Sequence, residues 1–313
     1  MGLAQWTSFL KENFSKLERH LDWYVRTQTS PRDKNIFRWS GRTSEHNLPS
    51  GLDDYPRYPN VTDHLQEGHV DMQCWMIKLF SVMADLALTV QVFKQELTHS
   101  WRSRAQVLQQ KLDEHFWNEE KLSYQDFAIV DGNSPQSTAK KIFVDHVGYV
   151  SIFPLLLQAL PDSHRNFEHL LNQISDYEGI WTEFGLRSLS KSDKAYHTGD
   201  DYWKGAIWIN MNYLTVKALH DYSLRMNDGD KLKQRTRELY DRLRTNVYKN
   251  IVREYYRLGY LFENYDDRTG NGQRSKPFTG WTALGTKNKF QDFWNKEKNQ
   301  IISNPFEKII YEQ

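Results

Sequence analysis

The sequence predicts an all-α fold, and three observations carry that expectation. Apolar residues recur at spacings of three and four over most of the chain, strand-like alternation is weak, and the residues suited to chemistry cluster in the connecting loops. The first element is expected over 3–26, where Trp6, Phe9, Leu10, Phe14, Leu17, Leu21, Tyr24 and Val25 mark one face of an amphipathic helix that a loop with Pro31 ends. Further helices are expected at 65–92 and 97–117, followed by a Gly/Asn/Ser/Pro loop around 131–136. Only 123–130 and 141–144 read as short strands. Helical patterning resumes at 148–160, 164–175, 203–225 and 231–256. Successive amphipathic helices with functional loops describe an α-toroid, but periodicity alone equally permits a solenoid or a bundle. No repeat of fixed period supports a solenoid.

Composition narrows the function classes. The 313 residues with 39% apolar content are ample for a globular core in one large domain or two small ones. A net charge of +1, from 41 basic and 40 acidic residues, gives no electrostatic case for nucleic acid or an anionic membrane as partner. No apolar run is long enough to span a bilayer, and the first six residues lack the pattern of a signal peptide. Cys74, the one cysteine, cannot form an internal disulfide and reads as core. Eleven Trp and 17 Tyr provide many rings able to stack on the apolar faces of sugars. Asn13 and Asn60 fit the N-glycosylation triplet, a pattern common by chance.

The most informative stretch is 50–57, Ser-Gly-Leu-Asp-Asp-Tyr-Pro-Arg. It places Asp53, Asp54 and Arg57 on one short loop after an aromatic and basic segment containing Trp39 and Arg42. An acid held near other charges can have its pKa set for proton donation, as glycosidic-bond cleavage requires. Glu263, flanked by Phe262 and Tyr265 ahead of the Gly-rich 270–272, is the matching carboxylate for the opposite side of a sugar ring. The bland alternatives are a solvated turn or N-cap pair for Asp53-Asp54 and a surface acid for Glu263. Metal readings fail on spacing: His64 and His69 are five apart, and 266–272 lacks the alternating acids and distal Glu of a calcium loop, so a turn is the better reading. A magnesium-dependent terpene synthase would need Asp where Arg57 stands. No cofactor is expected.

The loop 50–57, with 37–42 before it, resembles the catalytic-acid region of glycoside hydrolase family 63, and within it the processing α-glucosidases. The segments 69–75, 144–156, 184–189, 202–214 and 278–282 are similar to family blocks in the same order, so the resemblance covers about 6–285. It implies an (α/α)6 toroid of the six-hairpin glycosidase type, preceded in the family by a β-sandwich domain. About eight helices are countable against twelve in a closed ring. A partial toroid over 1–285 with a divergent, Lys/Asn-rich polar tail over 286–313 is therefore expected, without the sandwich, the first helices or a membrane anchor. The resemblance makes Asp53 the general acid and Glu263 the general base of an inverting hydrolysis, Asp54 a neighbour that binds a sugar hydroxyl or holds Arg57. Trp39, Arg42, Phe184, Arg187, Trp203, Trp208, Asn212 and Trp281 become walls of a glucose subsite. The implied substrate is a glucosylated high-mannose N-glycan that loses its terminal α-1,2-linked glucose, in the lumen of the endoplasmic reticulum. The alternatives are an inactive oligosaccharide-binding relative or another α-glucosidase or trehalase-like member of the clan. An open ring is also expected to leave the apolar face of 203–225 uncovered, favouring association or weak folding.

Overall fold

The computed structural model describes residues 3–59, 66–90, 95–130 and 139–286. The Asn60 triplet and nearly all of the polar tail lie outside the described residues. The chain divides into two compact units, one of Met1–Ile180 with Arg187–Gly205, the other of Trp181–Leu186 with the chain from Ala206 onward.

The first unit is built on helices α1 (Leu3–Gln28), α2 (Val70–Val90), α3 (Gln95–Phe116), α4 (Tyr149–Leu156) and α5 (Phe167–Ile174). Helix α2 packs against α1, α3 and α4. It can do so because it is apolar nearly all round, with Val70, Met72, Cys74, Met76, Met83, Ala84 and Ala87 buried. Helix α5 shows the pattern most simply: Phe167, Leu170, Leu171 and Ile174 fall at i, i+3, i+4 and i+7 and are all fully buried. At about 1.5–3 kcal/mol per side chain, that stripe contributes roughly 6–12 kcal/mol before entropy is subtracted. The helix expected over 148–160 stops earlier because Gln158 takes φ 53°, a left-handed conformation that no α-helix continues through. Strands β1 (Glu67–Gly68), β4 (Phe127–Val130) and β5 (Lys140–Phe143) form a small antiparallel sheet, and β2 (Trp117–Asn118) pairs with β3 (Ser123–Tyr124). The run 123–130 is thus two strands. Gly68 faces Phe127 in the β1–β4 register, where a Cβ would lie 2.4 Å from the Phe127 ring, so only glycine fits.

The second unit holds an αα-hairpin of α6 (Ile209–Arg225) and α7 (Lys231–Leu258), the β6 (Asn264–Tyr265) and β7 (Gly272–Gln273) hairpin, and a 3-10 turn, Trp281–Thr286. Asp230 caps α7 by accepting from Leu232 N at 2.8 Å. The helix expected over 203–225 begins only at Ile209. Trp208 is extended at φ −108°, ψ 123°, and Ile207 exchanges backbone hydrogen bonds with Tyr265, so this apolar run is bridging strand rather than helix. Helix α6 packs on α7 and the 3-10 turn, and Ile209, Met211, Val216, Ala218, Leu219 and Tyr222 are buried. Among its described residues Leu224, near the end of α6, is the one large apolar side chain left exposed. Others remain exposed on α1 and α2, at Trp6, Phe9, Trp23, Trp75, Val82 and Leu88, and on α7 at Tyr255, Tyr256 and Leu258. No described helix is long and apolar enough to cross a membrane.

Candidate active site

In the first unit the loop 47–57 is shaped by its own backbone. A 3-10 turn, Leu48–Ser50, ends at Gly51 in the left-handed region (φ 71°), which glycine adopts without steric cost. Ser50 Oγ donates to Asn47 O at 2.6 Å and accepts from Leu52 N at 3.0 Å, while Asn47 N donates to Asp53 O at 2.7 Å. This fixes the backbone at Asp53. Its side chain is half-buried, and burial pushes its pKa up, helped by the Asp54 charge and opposed by His46. Such a carboxyl keeps its proton to higher pH than a free aspartate and can deliver it.

Asp54 points the other way and is buried. Its Oδ1 accepts from Trp203 N at 2.6 Å and its Oδ2 from Tyr202 N at 3.0 Å, with Lys204 Nζ 3.6 Å from Oδ2. Asp54 therefore does not hold Arg57. The Arg57 guanidinium is fixed instead by Asp71 (Nη2–Oδ2 2.6 Å) and Asp126 (Nη1–Oδ2 2.6 Å), and all three are buried. Burial works against the charges here, but the guanidinium between the two acids overrides it: Asp71 is lowered and Arg57 raised. Asp126 Oδ1 also accepts from Val70 N at 2.8 Å, satisfying a free donor at the start of α2. Arg57 is thus anchored within the protein by two buried acids.

Arg42 is likewise committed to the protein. Its Nε donates to Glu67 Oε2 at 2.7 Å, its Nη2 to Glu67 Oε1 and Tyr58 O, and its Nη1 to Thr43 O. His69 Nδ1 accepts from Trp39 N at 2.9 Å, so its proton sits on Nε2, which donates to Glu67 Oε2 at 3.0 Å. Burial would raise the Glu67 pKa, yet hydrogen bonds from Arg42 and His69 hold it down to about 2. One carboxylate therefore sets both the Arg42 fork and, through His69, the backbone of Trp39. Arg187 is buried with its guanidinium 5.7 Å from the centre of the Tyr196 ring. Trp203 is 2% exposed, edge-on to Tyr149 at 6.3 Å.

In the second unit Glu263 is half-buried and pinned at its backbone, with its N donating to Ser275 O at 3.1 Å and its O accepting from Trp281 Nε1 at 2.7 Å. Ser275 N donates to Glu263 Oε2 at 3.2 Å, which orients the carboxylate. The Trp281 ring lies 5.5 Å from Trp208 and 4.7 Å from Phe278. Asn212, fully buried, uses its amide on Leu186 N, Leu186 O and Trp208 O, which joins 181–186 to the start of α6. Phe184 is half-buried under the Arg253 guanidinium at 5.1 Å. The turn expected at 266–272 is present, closed by Asp266 Oδ1 accepting from Thr269 N at 2.8 Å and Arg268 N at 3.1 Å.

The family model for the glycosyl hydrolase family 63 C-terminal domain matches residues 2–287, a span holding every one of these side chains. The chain belongs to glycosyl hydrolase family 63. A probable mannosyl-oligosaccharide glucosidase of Schizosaccharomyces pombe is 36% identical over 287 residues, covering 88% of this chain and 34% of its own length. The chain spans about a third of the length of the curated relatives it matches first. Among solved structures, a family 63 mannosylglycerate hydrolase from Thermus thermophilus in complex with glucose aligns with a TM-score of 0.51 at 20% identity, over 74% of this chain and 48% of that one. A neutral trehalase from Saccharomyces cerevisiae aligns with a TM-score of 0.54 at 12% identity, over 80% and 44%. At such identities the likeness speaks to fold, and the fold is that of the α/α-toroid, six-hairpin glycosidases.

In this family 63 domain, the sequence reading singled out the two carboxylates but missed the groups that hold the first loop in place, Glu67, His69, Asp71 and Asp126. The available signal was the Glu67-Gly68-His69-Val70-Asp71 run, three charged or polar residues alternating into an apolar helix, which are buried at 0–3% exposure. Charges in such a place require partners.

Proposed function

We propose that this domain hydrolyses a terminal α-1,2-linked glucose from a glucosylated high-mannose N-glycan, with Asp53 as general acid and Glu263 as general base, in the lumen of the endoplasmic reticulum. The observation that carries the reading is the environment of Asp53, a half-buried carboxyl whose pKa is raised by burial and then by the Asp54 charge. The name of the Schizosaccharomyces pombe relative supports the substrate class. Asp53 protonates the glycosidic oxygen as the bond to the anomeric carbon breaks. Glu263, oriented by Ser275 N, accepts a proton from the water that attacks the anomeric carbon from the opposite face. A single displacement inverts the configuration and requires no covalent intermediate.

The ring exposures redistribute the subsite roles. Trp203 and Trp208, at 2% and 0% exposure, offer no face to a sugar. Phe184 and Trp281, both half-buried, are the rings we assign to sugar contact. Arg42, Arg57 and Asp54 in the first unit and Asn212 in the second are engaged by protein partners. The test is to incubate the 313-residue chain with an α-1,2-glucosylated oligosaccharide and follow the nascent product by NMR. Release of β-glucose is expected; first-formed α-glucose would require a covalent intermediate, and glycan binding without any release would favour the oligosaccharide-binding alternative.

A further inference from the structure

Asp54 stands next to the proposed proton donor, yet its carboxylate is turned into the protein and fully engaged. Both oxygens accept from consecutive backbone N–H groups, those of Tyr202 and Trp203, nearly 150 residues further along the chain. Two adjacent N–H groups aimed at one carboxylate make a small anion-holding nest, and the two bonds are charge-assisted. The neighbouring cation, Lys204 Nζ, lies 3.6 Å away, beyond hydrogen-bond length. On the same loop Asp200 Oδ2 meets His46 Nε2 at 2.7 Å, so the segment 200–204 is tied to the segment 46–54 at two places.

We propose that Asp54 is a positioning residue for the reaction: it clips the Tyr202–Trp203 backbone to the Asp53 loop and keeps a buried negative charge behind the Asp53 carboxyl. This rests on Asp53 being the proton donor, but the clip itself does not. The charged groups facing Asp53 are Asp54, which raises its pKa, and His46, which lowers it. Lys204 faces Asp54 and only partly offsets its charge at that distance. Removing the Asp54 charge therefore lets Asp53 lose its proton at lower pH. A replacement that keeps the charge but lengthens the side chain disturbs the clip while sparing the proton. The two halves of the role are thus separable by substitution.

The experiment combines amide hydrogen exchange at Tyr202 and Trp203 with carboxyl 13C titration of Asp53, in the wild-type chain, Asp54→Asn and Asp54→Glu. The Asp53 resonance is identified by its loss in Asp53→Asn. In the wild type both amides should be protected. In Asp54→Asn one or both should exchange about ten- to a hundredfold faster, as expected for losing a hydrogen bond to a charged group, and the Asp53 titration should move to lower pH. Asp54→Glu should speed exchange but leave the Asp53 midpoint near that of the wild type. In kcat/KM profiles, Asp54→Asn should bring the alkaline limb to lower pH, whereas a merely structural defect would lower the rate equally at every pH. Unprotected amides in the wild type would overturn the proposal even if Asp54→Asn failed to fold. So would an unmoved Asp53 titration in a folded Asp54→Asn protein. Full turnover by Asp53→Asn would instead refute the proton-donor reading, with the exchange data still deciding the clip.

Discussion

Replacing Glu67 by Gln tests the buried network around Arg42 and His69 in the first unit. Glu67 is 3% exposed and accepts from Arg42 and His69, and these bonds bring its pKa from the 4.5 of a free glutamate to about 2. At about 1.4 kcal/mol per pH unit, that depression corresponds to about 3 kcal/mol of folding stability. A carboxylate whose folded pKa is depressed contributes fully above its unfolded pKa and loses the contribution as pH falls through the folded value. The stability of the wild type over Glu67→Gln should therefore be about 3 kcal/mol at neutral pH, about half that near pH 3, and smaller still toward pH 2. Glutamine cannot restore the network. Oε2 accepts from both Arg42 Nε and His69 Nε2 and Oε1 accepts from Arg42 Nη2, so whichever position the amide NH2 takes, it faces an N–H donor. Urea unfolding followed by tryptophan fluorescence, run at intervals from about pH 7 down to about pH 3, reads the difference directly. A gap that does not change with pH would refute the assignment of Glu67 as a buried, ionised partner of Arg42.

Arg57→Met leaves Asp71 and Asp126 buried without their cation, and should cost about 3–5 kcal/mol, lowering Tm by roughly ten degrees; an unchanged Tm would show that the two acids find other partners. Asn212→Ala deprives Leu186 N and two carbonyl oxygens of a fully buried partner. It should destabilise by about 2–4 kcal/mol in thermal unfolding, whereas a loss of glycan affinity at unchanged stability would return Asn212 to the sugar subsite.

The periodic parts of this chain were legible because their physics is local. Helix α5 and the α6–α7 hairpin follow from spacings of three and four, and the turn at 266–272 from Asp266 and its glycines. The start of α6 was not legible: the apolar run from Trp203 reads as helix, but Asp54 takes two of the N–H groups there and Tyr265 pairs with Ile207, and both partners are distant in sequence. The same non-locality hid the role of Arg57, whose acids stand 14 and 69 residues away. Asp53 and Glu263 could be picked out as acids beside aromatics on loops. That Asp53 faces outward and Asp54 inward is a property of the folded loop, which adjacent identical side chains cannot reveal.

The most direct test of the account is turnover by Asp53→Asn and Glu263→Gln, each measured on an α-1,2-glucosylated oligosaccharide beside the wild type, with far-UV circular dichroism and thermal unfolding of the same preparations. Neither change empties the core or removes a buried charge pair, so both variants should unfold like the wild type while glucose release falls by about a hundredfold to ten-thousandfold or more. Full activity in either variant, in a protein that unfolds normally, would contradict the acid and base assignment on which the proposed hydrolysis stands.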